Sequence, residues 1–265
     1  MTLIIQKPTG AKLNLANTFS LRSALFAGTQ GVWYDPSDLS TVFQDAAGTI
    51  AGAVDQPVGR ILDISGNGNH ASQAVSGDRP TLRSSGGLYW LEFVAGVNDE
   101  LRSGNFLVNS LGFYSVAGLS MDSRSGIGAT TVFFGVGMKN APSSTTDVMG
   151  IAERTDVVQD IVAAQRIGVS ATVGGPIARN FYSIGSAFVG EGYQESGLIA
   201  ARVNNNQQVT ARYAPNDTPV ANNSLAIQSA NAMKFFGGIF VKREVDDSMK
   251  SLCRQFLAAK SGVTL

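Results

Sequence analysis

The sequence holds one cysteine, Cys253, and one histidine, His70, among its 265 residues. A lone cysteine closes no disulfide within the chain and builds no cysteine-based zinc site, so a disulfide-stapled scaffold and a zinc module are both excluded. An excess of either charge is lacking too: 20 Lys and Arg stand against 20 Asp and Glu, with no basic block anywhere. Nucleic acids and anionic membranes need a basic footprint, so neither is an expected partner. No apolar run reaches the roughly 18 to 20 residues of a membrane span, and the longest candidates, Thr131 to Met138 and Phe235 to Val241, have the length of strands. Membrane insertion is not expected. The start, Met1-Thr2-Leu3-Ile4-Ile5, has no positive n-region and an apolar run shorter than that of a signal peptide, so no export signal is expected either.

Glycine, in contrast, is plentiful: 30 residues, above the usual ~7%. From Gly31 onward, short β-type runs alternate with clusters of Gly, Asn, Asp and Pro. Examples are Leu88 to Val94, Thr130 to Val136, Arg179 to Ile184, Leu198 to Val203 and Phe235 to Val241. Many short strands separated by turn signals predict an antiparallel sandwich. Ser65-Gly66-Asn67-Gly68-Asn69 and Asn204-Asn205-Asn206 supply residues that tolerate positive φ. After Asp246 as N-cap, Met249, Leu252, Phe256 and Leu257 recur at helical spacing and Gly262 follows as a stop, so a helix is predicted near 247–260. Leu39, Val42 and Phe43 mark a short helix or irregular turn over Asp38 to Asp45. Residues 1–30 carry Leu3, Ile4, Ile5, Leu13, Leu15, Phe19, Leu21, Leu25 and Phe26 with no sustained period, which reads as an extended arm ahead of one domain over 31–265.

A further pattern lies in the order of motifs. Trp33-Tyr34-Asp35-Pro36-Ser37-Asp38 is followed by Phe43-Gln44-Asp45, by Gln56-Pro57-Val58-Gly59 and by Leu62-Asp63-Ile64-Ser65-Gly66-Asn67-Gly68-Asn69-His70-Ala71. Arg79-Pro80-Thr81-Leu82, Leu91-Glu92-Phe93, Asn98-Asp99-Glu100-Leu101, the strand from Thr130 and the ending Phe236-Gly237-Gly238-Ile239 through Leu257 to Val263 continue it. Over residues 31–265 this order resembles the laminin-G-like, concanavalin-A-like jelly rolls of tailed bacteriophages and prophages. The resemblance implies an all-β fold of two curved antiparallel sheets, an antiparallel jelly-roll sandwich with the N-terminal arm and C-terminal helix appended. It also implies placement in tail, fibre or capsid-surface proteins of a virion, often without enzyme activity. The segment Glu153 to Gln165, with Asp156 and Asp160, matches no station of that pattern.

The chemistry-bearing residues are few. His70 is the sole imidazole and sits on the loop of Asp63 and Ser65; hydrogen bonds that close its own turn explain it more simply than a catalytic triad does. Glu191 and Glu195 lie four apart, so on a strand both face one way, as in the laminarinase-type enzymes of the resembled fold. Their backbones are then about 13 Å apart, against the roughly 5 to 5.5 Å between carboxyl groups that retaining glycosidases need. Asp35, Asp38, Asp45, Asp63, Asp99 and Asp122 offer oxygen ligands of the kind calcium takes, without EF-hand spacing. No cofactor is expected, with a structural calcium ion as the alternative. Cys253 reads as a small buried hydrophobe. Jelly-roll lectins grip sugar rings with exposed aromatics, which singles out Trp33, Tyr34, Tyr89, Trp90, Tyr193 and Tyr213. Neighbours on a strand face opposite ways, so one of each adjacent pair belongs to the core.

The expected function is therefore a non-enzymatic structural protein on the surface of a tailed-phage virion. Its arm residues Leu3, Ile4, Ile5, Leu13, Leu15 and Phe19 would attach it to other virion proteins or to copies of itself, with a trimer as one closed arrangement. The alternatives are a lectin-like module for a host-surface glycan or receptor and, third, a glycosidase.

Overall fold

Apolar runs broken by glycine and asparagine form antiparallel strands, as their alternation predicts. The computed structural model describes residues 15–95, 97–108, 112–122, 131–136, 148–154, 160–166, 177–178, 183–195, 198–206, 208–212, 220–229 and 231–265. In chain order they form α1 (Leu15–Phe26), β1 (Gly31–Tyr34), β2 (Val42–Phe43), β3 (Arg60–Ile61), β4 (Ala71–Ser72), β5 (Thr81–Ser85), β6 (Leu88–Phe93), β7 (Glu100–Val108), β8 (Phe113–Met121) and β9 (Thr131–Val136). There follow β10 (Val148–Arg154), β11 (Asp160–Arg166), β12 (Ile177–Ala178), β13 (Ala187–Glu195), β14 (Leu198–Val203), β15 (Val209–Arg212), β16 (Val220–Gln228), β17 (Met233–Val241) and α2 (Asp247–Ser261).

Among the described residues the strands make two antiparallel sheets. Sheet A runs β15-β14-β13-β8-β17-β6-β5, and β1 pairs with the second half of β17 while β6 pairs with its first half. Sheet B runs β12-β11-β10-β9-β16-β7-β4-β3-β2. The sheets form a sandwich around Tyr34, Phe93, Phe113, Phe133, Phe134, Phe188, Phe235 and Phe240, with many Leu, Ile and Val side chains. A second apolar layer lies on the opposite face of sheet A, where Trp33, Tyr114, Val189, Tyr193 and Ile239 meet Leu21, Leu25 and Phe26 of the α1 helix and Cys253, Phe256 and Leu257 of α2. Sheet A is thus covered on both faces. All nine residues of β8 are buried for that reason, alternating between the inter-sheet core (Phe113, Ala117, Leu119) and the helix layer (Tyr114, Val116).

Two glycines set the geometry of β17. Gly237 has φ +145°, at the bulge where the register with β8 shifts between Phe235 and Gly237. The extra residue exchanges the faces of the strand, so Phe235 points into the sandwich before it and Phe240 after it. At Gly238 a Cβ would lie 2.8 Å from the Phe134 ring, which only glycine avoids.

Helix α2 matches its signals. The Asp246 carboxylate accepts the Met249 N–H at 3.0 Å, and Gly262 ends the helix in the left-handed region at φ +71°. The buried stripe is rotated from the expected one: Lys250, Cys253, Arg254, Phe256, Leu257, Ala258 and Ser261 face sheet A, and Leu252 turns outward. The Asp38 to Asp45 segment is one short 3-10 turn, Leu39–Thr41, capped by Asp38 and leading into β2. Of the predicted strand at 179–184, residues 179–182 lie outside the described residues and Ser183 and Ile184 are not in a strand.

One expectation is corrected. The extended arm over 1–30 gives way, from Leu15 to Phe26, to a helix that includes Leu15 and Phe19. Leu21, Leu25 and Phe26 bury against the outer face of sheet A, and Arg22 donates to the Ile64 carbonyl at 3.2 Å. The apolar residues of this helix are spread around its circumference, so they present no stripe that periodicity could detect. Leu3, Ile4, Ile5 and Leu13 lie outside the described residues. No helix among the described residues is long and apolar enough to cross a membrane.

Candidate functional site

On strand β13, alternation sends Glu191, Tyr193 and Glu195 to the outer face of sheet A, as the spacing of the two glutamates predicts. That face is occupied by α2. Arg254 donates to both oxygens of the Glu191 carboxylate, at 2.8 and 2.9 Å, and Arg202 of β14 lies 3.8 Å from it. One helical turn away, the Lys250 ammonium pairs with Glu195 and lies 3.8 Å from the centroid of the Tyr193 ring. The Tyr193 hydroxyl donates to Gln208. Burial pushes the Glu191 carboxyl above the usual carboxylate range, opposed first by Arg254. Burial likewise raises the Cys253 thiol, with Glu191 adding to the effect. Glu191 is sealed beneath the helix and Glu195 stands at its edge, both engaged with cations of α2, which makes the row a fastening between α2 and the sheet.

The sequence-selected aromatics separate by what covers them. Trp33 and Tyr34 are both fully buried, a correction to their candidacy as sugar contacts. Tyr34 faces the sandwich and donates to the Asn69 carbonyl, whereas Trp33 faces the helix layer and meets Phe256 edge-on at 4.9 Å. In a sheet covered on both sides neither neighbour escapes burial. Tyr193, 5% exposed, is removed for the same reason. Tyr213 lies outside the described residues. Tyr89 is half-buried and shares the inward face of β6 with Leu91 and Phe93.

Trp90 is different. It is half-buried on the outer face of β6, the strand against whose Leu88 the end of α2 at Gly262 lies, and packs on Phe236 at a ring distance of 5.9 Å. Gly86 and Gly87, both at positive φ, form the two-residue turn that pairs Arg83 with Trp90 across the β5–β6 hairpin. Arg83 donates to Glu92 at 2.8 Å and to Asp55 at 2.7 Å. On the other side of Trp90, Lys234 holds Asp122 at 3.0 Å and places its ammonium 5.5 Å from the indole centroid. The indole thus lies between two ion-paired groups, with its Nε1 buried and making no hydrogen bond. Composition does not reveal Arg83, Glu92, Lys234, Asp122 or Asp55 as partners of Trp90. The Gly86-Gly87 turn could have located Arg83, because a two-residue hairpin fixes its register.

The remaining candidates hold structure together. Asp63 accepts the backbone N–H groups of Trp33, Ser65 and Asn69, and the His70 Nδ1 accepts the Asp63 N–H at 3.0 Å. Burial, then Arg60, lower the His70 pKa from its ordinary value, partly opposed by Asp63. Asp35 binds Ser37 and Lys260, Asp38 binds Ser40, Asp45 binds Thr49 and Ile50, and Asp99 binds the Val94 N–H. Among the described residues no three of His, Cys, Asp and Glu converge as metal ligands. An open cleft of about 340 Å³ at the start of α2 is lined by Glu195, Glu244, Val245, Asp246, Asp247 and Lys250.

No protein-family model matches the chain, and no curated protein matches it. Solved structures do. A Trypanosoma rangeli sialidase in complex with sialic acid superposes with a TM-score of 0.53 at 12% identity, over 90% of this chain and 34% of that one. A GH54 α-L-arabinofuranosidase mutant soaked with an aryl arabinofuranoside gives 0.57 at 13%, over 91% and 65%. The binding domain of botulinum neurotoxin DC in complex with SialylT gives 0.52 at 12%, over 74% and 48%. The chain thus spans about a third of the length of the sialidase it matches, and at these identities the likeness is one of fold, a β-sandwich. The expectation of a chain without enzyme activity is corrected by these neighbours. Sialidase and arabinofuranosidase enzymes are built on a sandwich of this kind, so the fold gives no ground for expecting an absence of activity.

Proposed function

We propose that this chain is a glycan-binding β-sandwich module whose binding surface is the partly exposed stretch of the outer face of sheet A around Trp90. The observation that carries the reading is the half-buried indole flanked on both sides by ion-paired side chains, Arg83 with Glu92 and Asp55, and Lys234 with Asp122. Indole rings stack on the C–H face of a pyranose or furanose, and paired charged groups both donate to and accept from its hydroxyls. The reading is supported by sandwich neighbours that were solved with sialic acid, with an arabinofuranoside and with SialylT. It includes the jelly-roll winding and the virion setting that the motif order over 31–265 suggests. There a module anchored among other virion proteins, as a homo-oligomer, presents this face to the host surface.

The test is binding of the intact chain to a printed set of oligosaccharides and to insoluble polysaccharides, beside Trp90→Ala. Retention that Trp90→Ala abolishes, with the variant still folded by circular dichroism, supports the reading. Equal retention by both proteins, or none by either, contradicts it. Release of reducing ends in the same samples separates a module that only binds from one that acts beside catalytic groups.

A further inference from the structure

The charges around Trp90 carry the argument one step further, on the glycan-binding reading just given. Each cation beside the indole is already held by a carboxylate: Arg83 by Asp55 and Glu92, Lys234 by Asp122. Three carboxylates against two cations leave one negative charge in excess. Their side chains are about 28% to 66% exposed, so they face the solvent from which a ligand would arrive. An acidic sugar brings a carboxylate of its own. It meets a surface whose net charge is already negative and shares each cation with a carboxylate that already holds it, which electrostatic complementarity opposes. A neutral sugar needs no such exchange. Its hydroxyls donate to the outward oxygens of Glu92, Asp55 and Asp122 and accept from the remaining N–H groups of Arg83 and Lys234, while its C–H face meets the indole.

We infer that the Trp90 surface selects neutral glycans and disfavours sialylated and uronic-acid ones, although two of the structural neighbours were solved with sialic acid or SialylT. The ion pairs set this selection, so removing carboxylates weakens it. Glu92→Gln together with Asp122→Asn leaves the indole in place and frees Lys234 entirely and Arg83 in part, which turns the excess charge positive.

The experiment titrates the intact chain with matched pairs, lactose against sialyllactose and galactan oligomers against oligogalacturonate, following Trp fluorescence, with Trp90→Phe as the control. The expected result is binding of the neutral member at least about tenfold tighter, the scale on which a like-charge mismatch acts. The Glu92→Gln/Asp122→Asn variant should narrow or reverse that ratio, and Trp90→Phe should weaken binding to both members. Tighter Trp90-dependent binding of the acidic members, or a ratio that the double variant leaves unchanged, overturns the inference and leaves glycan binding standing. No Trp90-dependent response to any member overturns both.

Discussion

The outer face of sheet A carries two clusters built from the same materials, aromatic rings with carboxylates and cations, and they differ in what lies over them. In the first, Trp33, Tyr193 and Glu191 lie under α2, with Arg254 reaching down from the helix and Lys250 pairing with Glu195 at its open edge. In the second, Trp90 packs half-buried on Phe236, and Arg83 and Glu92 pair beside it with side chains 38% and 31% exposed. Covered, an ion pair is a fastening whose rupture leaves an uncompensated charge in a low-dielectric layer. Uncovered, the same pair is screened and adds little to stability, and its hydrogen-bonding groups remain open to a ligand. The helix, more than residue type, decides which cluster is structure and which is surface.

The sharpest way to break this comparison is to remove one carboxylate from each cluster. Glu191→Ala strands Arg254 and should cost about 3 to 5 kcal/mol in urea denaturation. Glu92→Ala, on the uncovered side, should cost less than about 1 kcal/mol. Equal costs would show that α2 does not seal the first cluster.

A comparison within α2 sharpens the point. Phe256→Ala empties a buried site against Trp33 and should cost about 3 to 5 kcal/mol. Leu252→Ala, on the exposed side of the same helix, should stay within about 1 kcal/mol. Thermal melts of the two variants distinguish a docked helix from a loosely attached one.

The smallest expected effect concerns His70. Its Nδ1 accepts the Asp63 N–H, so the neutral ring is the one that fits, and its pKa lies below the ordinary 6.5. With a folded-state pKa depressed below the unfolded one, its contribution to stability is complete above about pH 6.5 and is lost as the pH falls through the lowered value. An NMR titration of this single imidazole should give a midpoint below 6.5, and a midpoint above it would show that Asp63 outweighs burial.

What could be read from sequence was local. Asp246 and Gly262 mark the ends of α2, Gly66 and Gly68 take positive φ in the turn that Asp63 closes, and the strands at Leu88, Leu198 and Phe235 follow from alternation. What could not be read depends on layers. Periodicity shows that Trp33 and Tyr34 face opposite ways, but not that both faces are covered. Nothing within α2 announces that Lys250 and Arg254 meet Glu195 and Glu191 on a distant strand. In the α1 helix, apolar residues on all sides leave the period blank, and the helix is held by packing of Leu21, Leu25 and Phe26 against the sheet. The Trp90 surface was half legible: the aromatic was visible, while its ionic partners come from β5, from β17, from the loop at Asp55 and from Asp122 at the end of β8.

The central claim is that Trp90 meets glycan while Trp33 serves the core, and the chain has only these two tryptophans. Fluorotryptophan labelling gives each its own fluorine NMR resonance, assigned with Trp90→Phe. On titration with a neutral oligosaccharide that the chain retains, the Trp90 resonance should move in proportion to occupancy while the Trp33 resonance stays fixed. A retained oligosaccharide that leaves the Trp90 resonance unmoved would place binding elsewhere and contradict the account.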